Sequence, residues 1–243
     1  MKIIKLNAIA STNSFLKEMA KDSALENFTV VQTENQLNGR GQQYAKWVSE
    51  PFKNLTFSVF VKFADFNFLN KKYLNFAVSL AVFEVLKEQK IKNIAIKWPN
   101  DILSGKQKIC GILIENNIKG TKINSSVIGI GLNVNQKLFS KSLQNVSSLS
   151  NISGKFFDLD VLLKKITVKL KLKIKQLEKQ DFKSLETNYL NVLYKKNIPT
   201  MFKDSKDVLF MGIIRGISKD GKLQVELENE SMVEFGIKEI AMV

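Results

Sequence analysis

The order of apolar and polar positions divides the chain into two kinds of segment. Runs rich in β-branched and aromatic residues predict strands at 3–9, 28–32, 55–63, 94–98, 109–115 and 126–134. Apolar residues at helical spacing mark the others. Phe15, Leu16, Met19 and Ala20 predict a first helix, with Ser11-Thr12-Asn13 as N-cap candidates. Residues 70–89 carry Tyr73, Phe76, Ala77, Leu80, Ala81 and Leu86 and predict a largely buried helix. Residues 158–179 place Leu159, Leu162, Leu163, Ile166 and Leu170 on one face, with lysines as a solvated face. A shorter helix is predicted over 182–194. Residues 35–50 read as a glycine-containing loop, and 104–105 and 116–121 as turns. After Pro199 the texture changes to short strands at 208–217, 222–227 and 231–235, with Asp220-Gly221 as a hairpin turn.

Composition narrows the chemistry. The 243 residues suffice for one sizeable domain plus a small one. No apolar run approaches the roughly 20 residues needed to span a bilayer. The N-terminal segment is too broken by Lys5 and Asn7 for a secretory signal, so the expected location is the cytoplasm. The single cysteine, Cys110, excludes an internal disulfide. It lies in an apolar strand pattern and reads as a buried structural thiol. Histidine is absent, which removes every Ser-His or Cys-His arrangement and disfavours a structural zinc site. The net charge of +14 points first to nucleic acid. However, Arg40 and Arg215 are the only arginines, and base readout and phosphate forks favour arginine. Lysine, asparagine, isoleucine and phenylalanine are all abundant, as expected of an A+T-rich coding sequence. The charge therefore reads mainly as a lysine-rich surface able to steer anions.

Several segments carry candidate chemistry. Gly39-Arg40-Gly41 sets a guanidinium between glycines, so that backbone N–H groups and a cation can converge on an anion. Lys97-Trp98-Pro99-Asn100-Asp101 ends a predicted strand, and Asn100 and Asp101 are expected in the loop beyond it. There a carboxylate could hold Mg²⁺ or orient a nucleophile. Lys108 opens the next predicted strand, with Gly111 permitting close backbone approach. Gly129-Ile130-Gly131-Leu132-Asn133 puts two glycines in a strand, without the third glycine and following helix of a dinucleotide fingerprint.

Taken in order, STN at 11–13, Q-x-x-GRG at 36–41, W-x-S-x-x-x-x-NL-x-x-S at 47–58, KWPND at 97–101, K-x-x-GIL-x-E at 108–115 and GIGLNVN at 129–135 closely resemble the catalytic domain of biotin–protein ligases, also called biotin–acetyl-CoA-carboxylase ligases. The resemblance covers about residues 3–190, and the tail is similar to that family's SH3-like C-terminal domain. It implies an α+β fold: a mixed β-sheet with flanking helices, related to class II aminoacyl-tRNA synthetases, plus a small SH3-like β-barrel. The implied domains are 1–195 and 196–243. Many bacterial members carry an N-terminal helix-turn-helix. This chain begins at the catalytic domain, so no sequence-specific DNA binding is expected.

The resemblance also implies a reaction. ATP with Mg²⁺ activates biotin to biotinyl-5′-AMP, and a lysine of a biotin carboxyl carrier domain then takes the biotin and releases AMP. The implied biotin residues are Ser11, Thr12, Asn13, Gln36, Arg40, Gly41, Gln42, Lys108 and Gly111. Those implied for ATP or the adenylate are Arg40, Trp47, Asn100, Lys108 and Asn133. Arg40, Lys108 and Asp101 are the expected catalytic groups, with Asp101 also the candidate Mg²⁺ ligand. A monomer or homodimer is expected. The chain departs from the family pattern at Gln42, often a basic residue, and at Tyr44 and Phe52, often glycines. Tyr44 and Phe52 are expected to stiffen a loop that orders on ligand binding. A lipoate–protein ligase shares the fold and the adenylation logic, but its Arg-Arg-x-Ser-Gly-Gly-Gly-type segment is absent. A basic nucleic-acid-binding protein and an adenylate-binding protein without transfer activity also compete with the ligase reading.

Overall fold

Strand β1 (Ile3–Ile9) leads directly into helix α1 (Thr12–Asp22), two residues later. The Ser11 carbonyl takes the first helical hydrogen bond, from Phe15 N at 3.0 Å, so the helix starts earlier than its apolar spacing alone predicts. Strand β2 (Val30–Gln36) follows, then two short strands, β3 (Gly39–Arg40) and β4 (Lys46–Trp47), that pair antiparallel around a 3₁₀ turn at 42–44. Next come β5 (Leu55–Lys62), α2 (Lys71–Glu88), β6 (Ile94–Lys97), β7 (Asp101–Ser104), β8 (Gln107–Lys119) and β9 (Lys122–Leu132). Helices α3 (Leu149–Ser153), α4 (Leu159–Glu178) and α5 (Phe182–Asn191) precede strands β10 (Pro199–Asp204), β11 (Leu209–Ile217), β12 (Leu223–Leu227), β13 (Met232–Phe235) and β14 (Ile240–Met242). This computed structural model describes residues 2–22 and 25–243, with the side chains of all of these except Asp22 and Tyr44.

Seven strands form one mixed sheet in the order β1-β2-β5-β9-β8-β7-β6. Only β1 and β2 run parallel; the other neighbours are antiparallel. Strand alternation decides which face does what. Leu55, Phe57, Val59 and Val61 of β5, Cys110 and Ile112 of β8, and Ile128, Ile130 and Leu132 of β9 join one buried core with apolar residues of α2 and α4. Tyr189 of α5 stacks on Phe76 of α2 within that core, with ring centroids 4.0 Å apart. Fully burying each such side chain contributes about 1.5–3 kcal/mol before conformational entropy is set against it. On the opposite face, Phe60 and Val127 pack under α1 with Leu16. The same face continues through Thr56 and Ser58 of β5, Gly111, Leu113 and Glu115 of β8, and Gly129 and Gly131 of β9. All of these but Leu113 are polar or lack a side chain, and this part of the sheet forms the floor of a cavity.

The five C-terminal strands form a second, antiparallel sheet in the order β13-β12-β11-β10-β14. Its apolar residues Phe202, Ile214, Ile217, Leu223 and Val225 are continuous with the main core. Trp98 Nε1 donates to the Gly221 carbonyl at 3.0 Å, tying this sheet to the turn after β6.

Several boundaries differ from the sequence reading. Asp101 does not emerge in a loop: it opens β7 and pairs with Gly111. The Trp98–Pro99 turn is only long enough to reverse the chain into this four-residue strand. Residues 116–119 extend β8, so the predicted turn shrinks to Gly120 and its neighbours. Helix α5 stops at Asn191 rather than Tyr194. Phe28 sits at φ 63°, outside the strand predicted to begin there. Strands β7 and β14 and helix α3 are short additions, too brief to show a period, and β10 is a six-residue addition in which Thr200 and Phe202 are the buried positions.

Candidate active site

A cavity of about 560 Å³ opens over the glycine-bearing face of the sheet. Its head end is polar and buried. Gln36 Oε1 accepts from Thr12 N at 2.9 Å and from Thr12 Oγ1 at 3.2 Å. Ser58 Oγ lies within hydrogen-bond reach of both Thr12 Oγ1 and Asn13 Oδ1. Asn13 Nδ2 donates to Glu115 Oε2 at 2.8 Å. These contacts hold the first turn of α1 against β2, β5 and β8, so the short polar side chains of the STN segment are fixed by the sheet.

The glycines of the floor are explained by what lies on them. A Cβ at Gly129 would stand 2.4 Å from Asn13 Oδ1. At Gly131 it would stand 2.4 Å from the Trp47 ring, and at Gly111, 3.2 Å. Glycine is required here by close approach of a side chain, at ordinary strand geometry. Trp47 thus lies flat over β8 and β9, with the Lys108 ammonium 5.9 Å from its ring centroid.

Cations ring the middle of the cavity. Lys108 Nζ pairs with Asp101 Oδ1 at 2.7 Å: a bulge in the β7–β8 ladder puts Lys108 opposite Leu103, and its side chain reaches over Gly111, the partner of Asp101. Arg40 is half-exposed and donates to Ser14 Oγ at 2.8 Å, with Glu115 Oε2 at 3.6 Å. Burial alone would raise the Glu115 carboxyl. Hydrogen bonds from Lys17 and Asn13, with the charges of Lys17 and Arg40, outweigh burial and hold it below the usual carboxylate range. Three buried polar atoms bordering the cavity, Trp47 Nε1, Gln42 Oε1 and Asp101 Oδ1, have no hydrogen-bond partner among the described residues, and of these only Asp101 Oδ1 is ion-paired. The other two are available to a ligand.

The C-terminal sheet closes one side. Lys203, Asp204, Asp207 and Lys238 line the same cavity. Lys238 Nζ donates to the Gln43 carbonyl at 2.8 Å, and Gln43 Nε2 to the Ile237 carbonyl at 3.4 Å. The loop from Gly39 to Trp47 is therefore held between α1 on one side and residues 237–238 on the other.

Known proteins resemble this chain in sequence and in fold. Residues 6–133 match the model of the Biotin/lipoate A/B protein ligase family. The chain belongs to that family. The bifunctional ligase/repressor BirA of Bacillus spizizenii is 32% identical over 159 residues, covering 64% of this chain and 48% of the relative. A biotin–[acetyl-CoA-carboxylase] ligase of Paracoccus denitrificans is 30% identical over 126 residues, 51% of each chain. The chain thus spans about half the length of these curated relatives. The structure of a biotin protein ligase from Aquifex aeolicus in complex with biotin and ATP superposes with a TM-score of 0.80 at 24% identity, covering 100% of this chain and 98% of that one. This likeness shows a shared fold.

Among the expected site residues of this ligase-family chain, Ser11, Thr12, Asn13 and Gln36 meet at the head end of the cavity. Arg40, Gly41, Gln42 and Trp47 line it from the loop, and Asn100, Asp101, Lys108 and Gly111 from β7, β8 and the turn before them. Asn133 is not brought to this cavity. It is 3% exposed, and its Nδ2 donates to the Ser147 carbonyl at 3.1 Å, bracing the segment after β9. Asp101 lines the cavity with Oδ1 ion-paired to Lys108 at 2.7 Å, so as a cation ligand it would share its carboxylate with that ammonium. Among the described residues no three acidic, histidine or cysteine side chains cluster as a metal site. Phe52 occupies the left-handed region at φ 63°, with its N donating to the Glu34 carbonyl at 3.1 Å. Glycine would sit there without strain. The Tyr44 side chain lies outside the described residues. Cys110 is fully buried, and desolvation pushes its thiol well up, as expected of a structural cysteine.

Ser14 and the C-terminal Lys238 join the site without a signal in the motifs, whereas Ser58 and Glu115 each end a motif that assigned them no role. Alternation could have found Glu115, because residues 111, 113 and 115 share one face of β8. Nothing in the sequence could have found Lys238, whose contact with Gln43 spans 195 positions.

Proposed function

We propose that this chain is an ATP-dependent biotin–protein ligase. The observation that carries the reading is the convergence, in one cavity, of a buried polar head end with Arg40, Lys108 and the flat Trp47 ring. A neutral ring bearing N–H and C=O groups matches Ser11, Thr12, Asn13 and Gln36. The carboxylate end then lies between Arg40 and Lys108. There it attacks the α-phosphate of MgATP: an acyl–O–P bond forms, a P–O bond breaks, and pyrophosphate leaves. The carboxylate is already ionised, so this step needs alignment and positive charge and no general base. That suits a chain without histidine. Any Mg²⁺ enters as part of the nucleotide substrate.

In the second step a lysine amine of a carrier domain attacks the acyl carbon and AMP leaves. Lys108 and Arg40 carry the charge on the departing phosphate. Asp101 holds Lys108 and offers its second oxygen to the incoming amine. Trp47 and Asn100 border the nucleotide, and Gly41, Gln42 and Gly111 line the biotin. Residues 1–195 form the catalytic domain, and 196–243 the SH3-like domain that covers the loop. No helix of the described residues is long and apolar enough to cross a membrane, which is compatible with cytoplasmic carriers. Pyrophosphate release from MgATP that depends on biotin supports the proposal. Release with lipoate alone, or none with either acid, contradicts it.

A further inference from the structure

Glu115 touches two residues that line the cavity, Asn13 and Arg40, without lining it itself. Resting on the reading that the cavity takes biotin, we propose that Glu115 is a positioning and specificity residue. It fixes the Asn13 amide so that Oδ1 stays available at the head end. This favours a cyclic urea, whose N–H groups donate, over a dithiolane, which has no donor.

The amide orientation follows from its surroundings. Asn13 Nδ2 faces two acceptors, Glu115 Oε2 at 2.8 Å and the Leu113 carbonyl at 3.4 Å. An ionised carboxylate only accepts, so it excludes the flipped amide. Lys17 Nζ at 2.8 Å and Arg40 keep that carboxylate charged and in place. On the other side, Asn13 Oδ1 meets the Ser58 hydroxyl and rests against Gly129, and Asn13 and Gly129 both border the cavity. An amide oxygen has two lone pairs, and Ser58 uses one. Beside it, Gln36 uses Oε1 on Thr12, which leaves its Nε2 to donate. The head end therefore offers one oriented acceptor and one oriented donor, the complement of a urea. A site built to pair a donor rejects a ligand lacking it, because the acceptor is left buried and unpaired.

The competing account makes Glu115 a tether of α1 to β8, which would affect stability alone. Biotin-dependent pyrophosphate release, the biotin-over-lipoate preference and thermal unfolding separate the two for the full chain. Glu115→Gln offers a donor as well as an acceptor, so Asn13 can turn either way. The expected result is a rise of about tenfold in the KM for biotin, with kcat within about twofold and a narrowed preference. Lys17→Met removes one of the two cations beside Glu115 but leaves Arg40 there and the Asn13 amide on the carboxylate, and should leave the KM within about twofold. An unchanged KM and preference in Glu115→Gln, or an equal rise in Lys17→Met, overturns the role. Should Glu115→Gln fail to fold, Glu115→Asp shortens the side chain by one methylene and weakens its hold on Asn13 Nδ2. A KM rise of about threefold is then expected, and an unchanged KM overturns the role. A wild-type protein that releases no pyrophosphate with biotin overturns both readings, whereas an active wild type with unaffected variants overturns only this one.

Discussion

The floor of the cavity and the loop above it are built on opposite principles. The floor is a seven-stranded sheet whose far face is filled by α2 and α4, and its side chains on the near face are set by strand alternation. Asn13 and Trp47 rest on it because Gly129 and Gly131 leave room for nothing else. The loop from Gly39 to Trp47 is held at a few points: Arg40 on Ser14 and Glu115, and Gln43 between Ile237 and Lys238. Half-exposed pairs of this sort contribute about 0–1 kcal/mol each. A rigid floor can select a ligand, whereas a weakly held loop can exchange its internal partners for those of the ligand. Arg40 is the clearest case, since a phosphate would replace Glu115 as its anion.

Breaking the floor should do the most damage. Gly129→Ala forces Asn13 from its place, and overpacking of this kind costs about 1–3 kcal/mol. A loss of about 100-fold in kcat/KM for biotin is expected in steady-state pyrophosphate release. Arg40→Ala acts on the loop. It should weaken the binding of biotin, whose carboxylate then keeps only Lys108, and speed the escape of the acyl-adenylate by about tenfold, the worth of one charge-assisted hydrogen bond. Trapping of released adenylate by hydroxylamine would measure it, and wild-type retention would remove Arg40 from its role. Lys238→Met loosens the loop from the other side. Escape should rise about twofold to threefold in the same assay, with an unchanged melting temperature, because the contact is exposed. Phe52→Gly has the smallest effect. Relief of the left-handed φ is worth about 1–2 kcal/mol, and the added entropy of glycine offsets about 0.5–1 of it. A small rise in melting temperature with unaltered kinetics is expected.

The floor is largely legible in the sequence and the loop's supports are not. Strand alternation in 55–63, 109–115 and 126–134 places apolar residues on one face and leaves Gly111, Gly129 and Gly131 on the other. The ordered motifs then bring Ser11, Thr12, Asn13, Gln36, Arg40 and Lys108 to one cavity. Pattern puts Asp101 in the right neighbourhood but the wrong setting, because a four-residue strand carries no period of its own. The motif around Asn133 points it at the ligand, but its place just past the end of β9 turns its amide toward Ser147. The part played by Lys238 depends on packing between two sheets, which local pattern does not encode.

The central claim is that the cavity activates biotin and passes it to a protein lysine. Its most direct test is transfer of biotin to a purified biotin carboxyl carrier domain, with AMP release measured in the same reaction. The account predicts one AMP for each biotin attached, dependent on both biotin and MgATP. AMP formed without attachment to the carrier, or no AMP at all, would contradict it.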